Sequence, residues 1–166
     1  YYVDKIVAAF IEIDPEGENE YRTNASTYKS KLKALDKELR DSLSSIPENR
    51  RFLVTCEGAF SYLARDYGMK EGYLWPVNAE SQVTPRRMVD LIELIKENEV
   101  PTIFCESTVS AKAQKEVAKA SNAIFGGTFY VDSLSETGGP ASTYIELLRH
   151  NVRLITEGLI PKSNKK

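Results

Sequence analysis

Three acidic residues, Glu57, Glu106 and Asp132, each follow a short apolar run of the kind that forms a strand. Two of those runs end in the same pair, Cys56-Glu57 and Cys105-Glu106. In an open parallel α/β sheet the ligand lies beyond the carboxyl ends of the strands, so acids in these positions converge on one edge. Converging carboxylates repel unless a positive charge lies between them, and a divalent cation is the usual counter-charge. Binding a metal, or a basic substrate, is therefore the chemistry these residues could do. Each acid alone has a plainer explanation, because capping and the helix dipole favour a carboxylate at a helix N-terminus. Their coincidence at one edge is harder to assign to capping.

Cys56 and Cys105 occupy equivalent places in their strands. If those strands are neighbours the thiols can meet, and a disulfide there would lie beneath the acids and require an oxidising compartment such as a periplasm. The alternative is a pair of buried, reduced cysteines in a cytosolic core. The single histidine, His150, stands beside Arg149 on an amphipathic helix far in sequence from the strand ends. A surface or edge position is expected for it, not a ligand's role. The Gly126-Gly127 and Gly138-Gly139 pairs fit neither a dinucleotide fingerprint nor a phosphate loop, and turns are a sufficient explanation for them.

Positioning these residues falls to a regular alternation of strands and helices. Phe52 to Cys56 is the first strand, with a helix from about Gly58 to Tyr67 closed by Gly68. Tyr73 to Trp75 is the second, followed by Thr84 and Pro85 as N-cap and first residue of a helix that buries Met88, Leu91, Ile92 and Ile95. Thr102 to Cys105 is the third, with a helix to about Asn122, and the fourth lies around Ala123 to Gly126. A polar loop from Asp132 to Gly139 then leads into a last helix from about Ala141 to Gly158. This pattern predicts an α/β fold with a four-stranded parallel sheet flanked by helices.

Two helices precede the sheet. The first carries Val3, Val7, Phe10 and Ile11 on one face and stops near Asp14-Pro15, since proline cannot continue it. The second runs from Asn24 to Ile46 with a narrow stripe of Tyr28, Leu32, Leu35, Leu39, Leu43 and Ile46. It is either a coiled-coil arm or a strut laid on a globular unit. The first helix has no capping residue before it, which leads us to expect that the natural chain continues upstream of Tyr1. The tail from Pro161 to Lys166 is polar enough to be disordered.

Composition narrows the partners. With 166 residues, 42% of them hydrophobic, the chain can bury one proper core but not two. Its 22 basic and 24 acidic residues are scattered, which argues against a nucleic-acid partner. No apolar run reaches the eighteen residues that a membrane helix needs.

The long charged helix before Pro47, the stretch from Val54 to Leu63 with Tyr67-Gly68, Pro101 to Ser107, Val131 to Leu134, and Glu157-Gly158-Leu159 together form a specific set. On these residues the chain resembles the C-terminal half of the cluster A-I, or ZnuA/PsaA-like, metal-binding proteins of bacterial ABC importers. The resemblance implies residues 1–20 as the end of an N-terminal lobe, 21–47 as a rigid inter-lobe helix, and 48–166 as a C-terminal α/β lobe. It favours the strut over the coiled-coil arm.

It also implies a metal held by two histidines of an N-terminal lobe, upstream of Tyr1, and by Glu57 and Asp132 here, with Glu106 and Ser133 supporting them. A Cys56–Cys105 disulfide accords with the periplasmic location it implies. Glutamate at position 57 leans toward Mn2+ over Zn2+, although zinc competes well at most nitrogen and oxygen sites. With two ligands only, these residues should hold metal weakly. The implied partners are the metal and an inner-membrane ABC transporter permease, with no nucleic acid, and the protein is expected to be a monomer and not an enzyme. The competing readings are a small metal-dependent α/β enzyme using the strand-end acids, and a surface adhesin in which they only cap helices.

Overall fold

The computed structural model describes residues 1–79 and 83–161, so most of the predicted disordered tail lies outside the described residues. The chain divides into two compact units, Tyr1–Leu39 and Arg40–Lys166.

The first unit holds α1 (Tyr2–Ile13) and most of α2 (Glu18–Ser44), joined by a 3-10 turn at Pro15–Gly17. The turn is tight because residue 17 is glycine: a Cβ there would lie 2.6 Å from the Tyr21 ring. Tyr21 donates to Asp14 Oδ2 at 2.7 Å and packs against Phe10, ring to ring, at 5.4 Å. An ion pair at 2.6 Å between Lys29 and Asp4 ties the two helices further along. No residue of α1 is fully buried, and Phe10, expected on its packed face, is 50% exposed. The second helix begins six residues before the predicted Asn24. Apart from Tyr21, which packs on Phe10, those residues are polar, but Glu18 and Glu20 favour the helix N-terminus, and Arg22 pairs with Glu18 one turn away.

The second unit takes in the end of α2, where Leu43 is a core residue, Ile46 just beyond it, also in the core, and the four strands of the described residues. Strand β1 (Phe52–Glu57) pairs in parallel with β2 (Lys70–Trp75), placing Glu57 opposite Trp75. Strand β3 (Thr102–Glu106) pairs in parallel with β4 (Ile124–Phe129), placing Glu106 opposite Phe129. Strands β1 and β3 lie side by side, giving the spatial order β2-β1-β3-β4, while the hydrogen-bond ladders run within each pair. Every residue of β1 and β3 is buried, as expected for the inner strands of a parallel arrangement covered on both faces. Leu74, Trp75, Leu91, Ile95, Ile103 and Val117 are among the core residues that pack with them.

The intervening helices are α3 (Ser61–Asp66), α4 (Pro85–Glu97), α5 (Lys112–Ser121) and α6 (Tyr144–Leu159). The Thr84-Pro85 start of α4 is as predicted, with Thr84 Oγ1 accepting from the Arg87 amide at 3.3 Å. Helix α5 ends at Asn122, which takes a left-handed conformation that asparagine tolerates.

One expectation is corrected. Gly126 and Gly127 do not form a turn after β4 but lie inside it, at a register shift where Ile103 faces Phe125 and Phe104 faces Gly127. A Cβ on Gly126 would stand 2.3 Å from Thr102 Cγ2 and 2.5 Å from Phe104 Cε1, so only glycine lets the bulged strand approach β3. The other pair does sit in a turn: Gly138 has φ +80° and the Gly139 amide donates to Glu136 O at 2.9 Å.

Candidate functional site

At the carboxyl end of β1, Thr55 donates its hydroxyl to the Glu57 carbonyl at 2.7 Å, and the Gly58 amide donates to Trp75 O at 3.0 Å. These bonds fix the exit of the strand and the place of Glu57, whose residue surface is only 7% exposed. Its Oε1 accepts a hydrogen bond from the amide of Asn78, in the turn after β2. Asn78 has φ 59°, in the left-handed region, and this conformation aims its N–H at the carboxylate. Sequence reasoning missed Asn78; an asparagine two residues after Pro76 is a turn signal, but nothing local says which carboxylate the turn will face.

Glu106 ends β3 and is 1% exposed. Both of its carboxylate oxygens lie 3.3 Å from the Glu57 amide. Burial pushes its carboxyl up from an ordinary 4.5 to about 7, against the pull of backbone N–H groups of Glu106, Glu57 and Cys56, and the Glu57 charge adds to the rise. Glu106 thus supports the backbone that carries Glu57.

Directly beneath, Cys56 and Cys105 form a disulfide with a Cα–Cα distance of 4.8 Å. Their sulfurs and a Glu106 oxygen lie within 4.8 Å of one another, a spacing that would suit a metal. The sulfurs are bonded to each other and offer no thiolate, so this cluster is not a metal site.

Asp132 lies in the loop after β4 and is exposed, with no hydrogen bond or ion pair among the described residues. The loop is held on both sides of it. Before it, the buried side chain of Asn151 on α6 accepts from the Tyr130 amide at 3.0 Å and donates to the Tyr130 carbonyl at 2.7 Å. After it, the Ser133 and Ser107 hydroxyls share a hydrogen bond at 3.0 Å, and the Ser107 amide donates to Phe129 O at 2.8 Å. No hydrogen bond joins Glu57 to Asp132. Their connection runs from the Glu57 amide through Glu106 to Ser107 and on to Ser133, each step a hydrogen bond or a peptide bond.

His150 lies where expected, along the edge of the sheet. Its Nε2 is 3.0 Å from Thr128 O, its Nδ1 is 3.3 Å from the Arg153 guanidinium, and its ring meets that of Tyr130 edge-on at 5.4 Å. With both nitrogens engaged on the α6 and β4 seam, it is no part of the acidic edge.

Among families of known proteins, the one described as "Zinc-uptake complex component A periplasmic" matches residues 1–158. The chain is 50% identical over 157 residues to the iron-binding protein YfeA of Yersinia pestis, covering 95% of this chain and 50% of that protein. The structure resembles the Mn-bound periplasmic metal binding protein of Candidatus Liberibacter asiaticus, with a TM-score of 0.87 and 37% identity over 96% of this chain and 59% of that one. It also resembles the periplasmic zinc binding protein TroA of Treponema pallidum, with a TM-score of 0.90 and 26% identity over 95% of this chain and 59% of that one. The chain spans about half the length of the curated relatives it matches.

Proposed function

From the premise that the chain belongs to the zinc-uptake component A family of periplasmic proteins, we propose that it is part of the substrate-binding component of an ABC importer, binding a divalent transition metal and delivering it to a membrane permease. In this reading the metal is cargo and no covalent chemistry occurs. Glu57 and Asp132 supply carboxylate oxygens, and the remaining donors come from an N-terminal lobe. Residues 1–20 close that lobe, α2 within 21–47 links it to the C-terminal lobe, and residues 48–166 form the latter. The protein works outside the cytoplasm, where the Cys56–Cys105 bridge is stable.

The observation that carries the reading is the acidic edge itself. One carboxylate is held at a strand end by the Asn78 amide, with its own backbone braced by Glu106, and the other stands exposed, without a partner among the described residues, in a loop fastened on both sides. An exposed carboxylate without a partner, borne on an ordered loop, is free to take a cation at small cost in ordering.

Oxygen donors suit manganese and iron(II) as well as zinc. The relatives are named for all three metals: iron for YfeA, manganese for the Liberibacter protein, zinc for TroA. Iron was not anticipated from the sequence, and Mn2+ and Fe2+ are the metals we favour.

The test is titration of the full-length protein with Mn2+, Fe2+ and Zn2+ beside its Glu57→Ala and Asp132→Ala variants. Loss of at least about a hundredfold in affinity is expected from each variant, since replacing groups that merely support ligands already costs tenfold to a hundredfold. Wild-type affinity in both variants would move the site elsewhere.

A further inference from the structure

Helix α6 buries a stripe that steps by four: Leu147, Asn151, Ile155 and Leu159. Three of these are apolar. Asn151 is 1% exposed, and an amide in that position costs stability unless its polar atoms are bonded. Both of its bonds go to one residue, Tyr130.

Tyr130 is the first residue beyond β4. The last strand residue, Phe129, faces Glu106, and its carbonyl is taken by the Ser107 amide. Beyond this point β3 has turned away and offers no further ladder partner. The Asn151 amide takes its place, accepting from the Tyr130 N–H and donating to the Tyr130 C=O as a neighbouring strand would. Only one residue, Val131, separates this clamp from Asp132. A side chain with a donor and an acceptor in one plane at this reach is needed, and asparagine is the residue that has it. Alanine has neither group, and ionised aspartate has no donor.

We propose that Asn151 is a positioning residue for metal binding, its side-chain amide holding the Tyr130 backbone so that the Asp132 carboxylate is placed at the metal before the metal arrives. The inference rests on the reading of Asp132 as a metal ligand. Asn151 touches neither the metal nor Asp132 and acts through the backbone, completing with the Ser107–Ser133 pair a fastening on both sides of the ligand. Without the clamp the loop keeps its serine tether but must be ordered by the metal at each binding event, which lowers affinity.

The experiment measures Mn2+ affinity in the full-length protein for Asn151→Ala, Asn151→Asp, Asp132→Ala and the double variant Asn151→Ala/Asp132→Ala. Electron paramagnetic resonance of the Mn2+-saturated forms and thermal unfolding of the metal-free forms accompany it. The expected result is a loss of about tenfold to a hundredfold in both Asn151 variants, the usual cost of removing a group that orients a ligand. In the Asp132→Ala background the Asn151 change should cost nothing more, and the Mn2+ spectrum of Asn151→Ala should shift toward that of Asp132→Ala. An Asn151 effect of full size in the Asp132→Ala background would overturn the proposal, because the residue would then act on the fold at large. Wild-type affinity in the Asn151 variants, with Asp132→Ala weakened, would overturn it alone. Wild-type affinity in Asp132→Ala would overturn the ligand reading as well.

Discussion

Glu106 is an acid buried at a strand end, and its environment makes a pH prediction with a definite sign. Its carboxyl is raised by burial from 4.5 to about 7 in the folded protein. The native state therefore holds this proton longer than the unfolded chain. The stability it contributes is fully present below about pH 4.5 and is lost as pH rises toward about 7, a swing on the order of 3 kcal/mol at most. The charge of Glu57, whose amide Glu106 braces, adds to this upward shift of the Glu106 carboxyl. In metal-free protein, Glu106→Gln should flatten the dependence of the urea midpoint on pH between 5 and 8, gaining on the wild type as pH rises. Parallel curves for the two proteins would rule this out. Glu57, Glu106 and Asp132 could be singled out from the sequence because each follows a strand. Their supports, Asn78, Ser107 and Asn151, could not, because each meets its partner through the fold. Asn151 left a trace as a polar residue interrupting the apolar stripe of α6, and Asn78 as a turn signal, but neither trace names the partner.

Among the elements, β4 shows how a local rule can mislead. Two adjacent glycines are a turn signal, and the strand was expected to stop at the first of them. It continues to Phe129 because the glycines remove the side chains that would strike Thr102 and Phe104 of β3. Phe104 is fully buried and stacked on Phe129 at 4.5 Å, so it has little room to give way. Gly126→Ala should therefore destabilise the protein by about 1–3 kcal/mol, the usual cost of overpacking. Gly68→Ala is the control: φ is +66° but nothing lies within 4 Å of the added methyl, so only backbone strain of about 1 kcal/mol is expected. Urea unfolding of both variants checks the pair, and equal losses would show that crowding at Gly126 is relieved. The start of α4 was legible to the residue because Thr84 and Pro85 carry their own signal. The start of α2 was not, because its first turn is mostly polar and its one ring, Tyr21, packs on Phe10 of the preceding helix without marking a boundary.

For the molecule as a whole, the Cys56–Cys105 bridge spans a sequence separation of 49 and joins the two strand pairs at their inner strands. Closing a loop of that length removes unfolded-state entropy worth about 4 kcal/mol in the chain-entropy account. Reduction, or the double change Cys56→Ser and Cys105→Ser, should lower unfolding stability by about 2–4 kcal/mol with the fold retained. Two free thiols in a non-reducing mass measurement of exported protein would contradict the bridge itself. The sequence alone was enough to determine the β-α alternation, the parallel strands and the acids at their ends, because hydrophobic period and strand-end position are written locally. The adjacency of β1 and β3 was left open by it, and with that the choice between a disulfide and two free thiols. The tertiary structure decided that point, together with the bulge in β4, the burial of Glu106 under the Glu57 amide and the grip of Asn151 on Tyr130. All of these are contacts between residues 20 to 50 positions apart, and such contacts form only when the whole core packs.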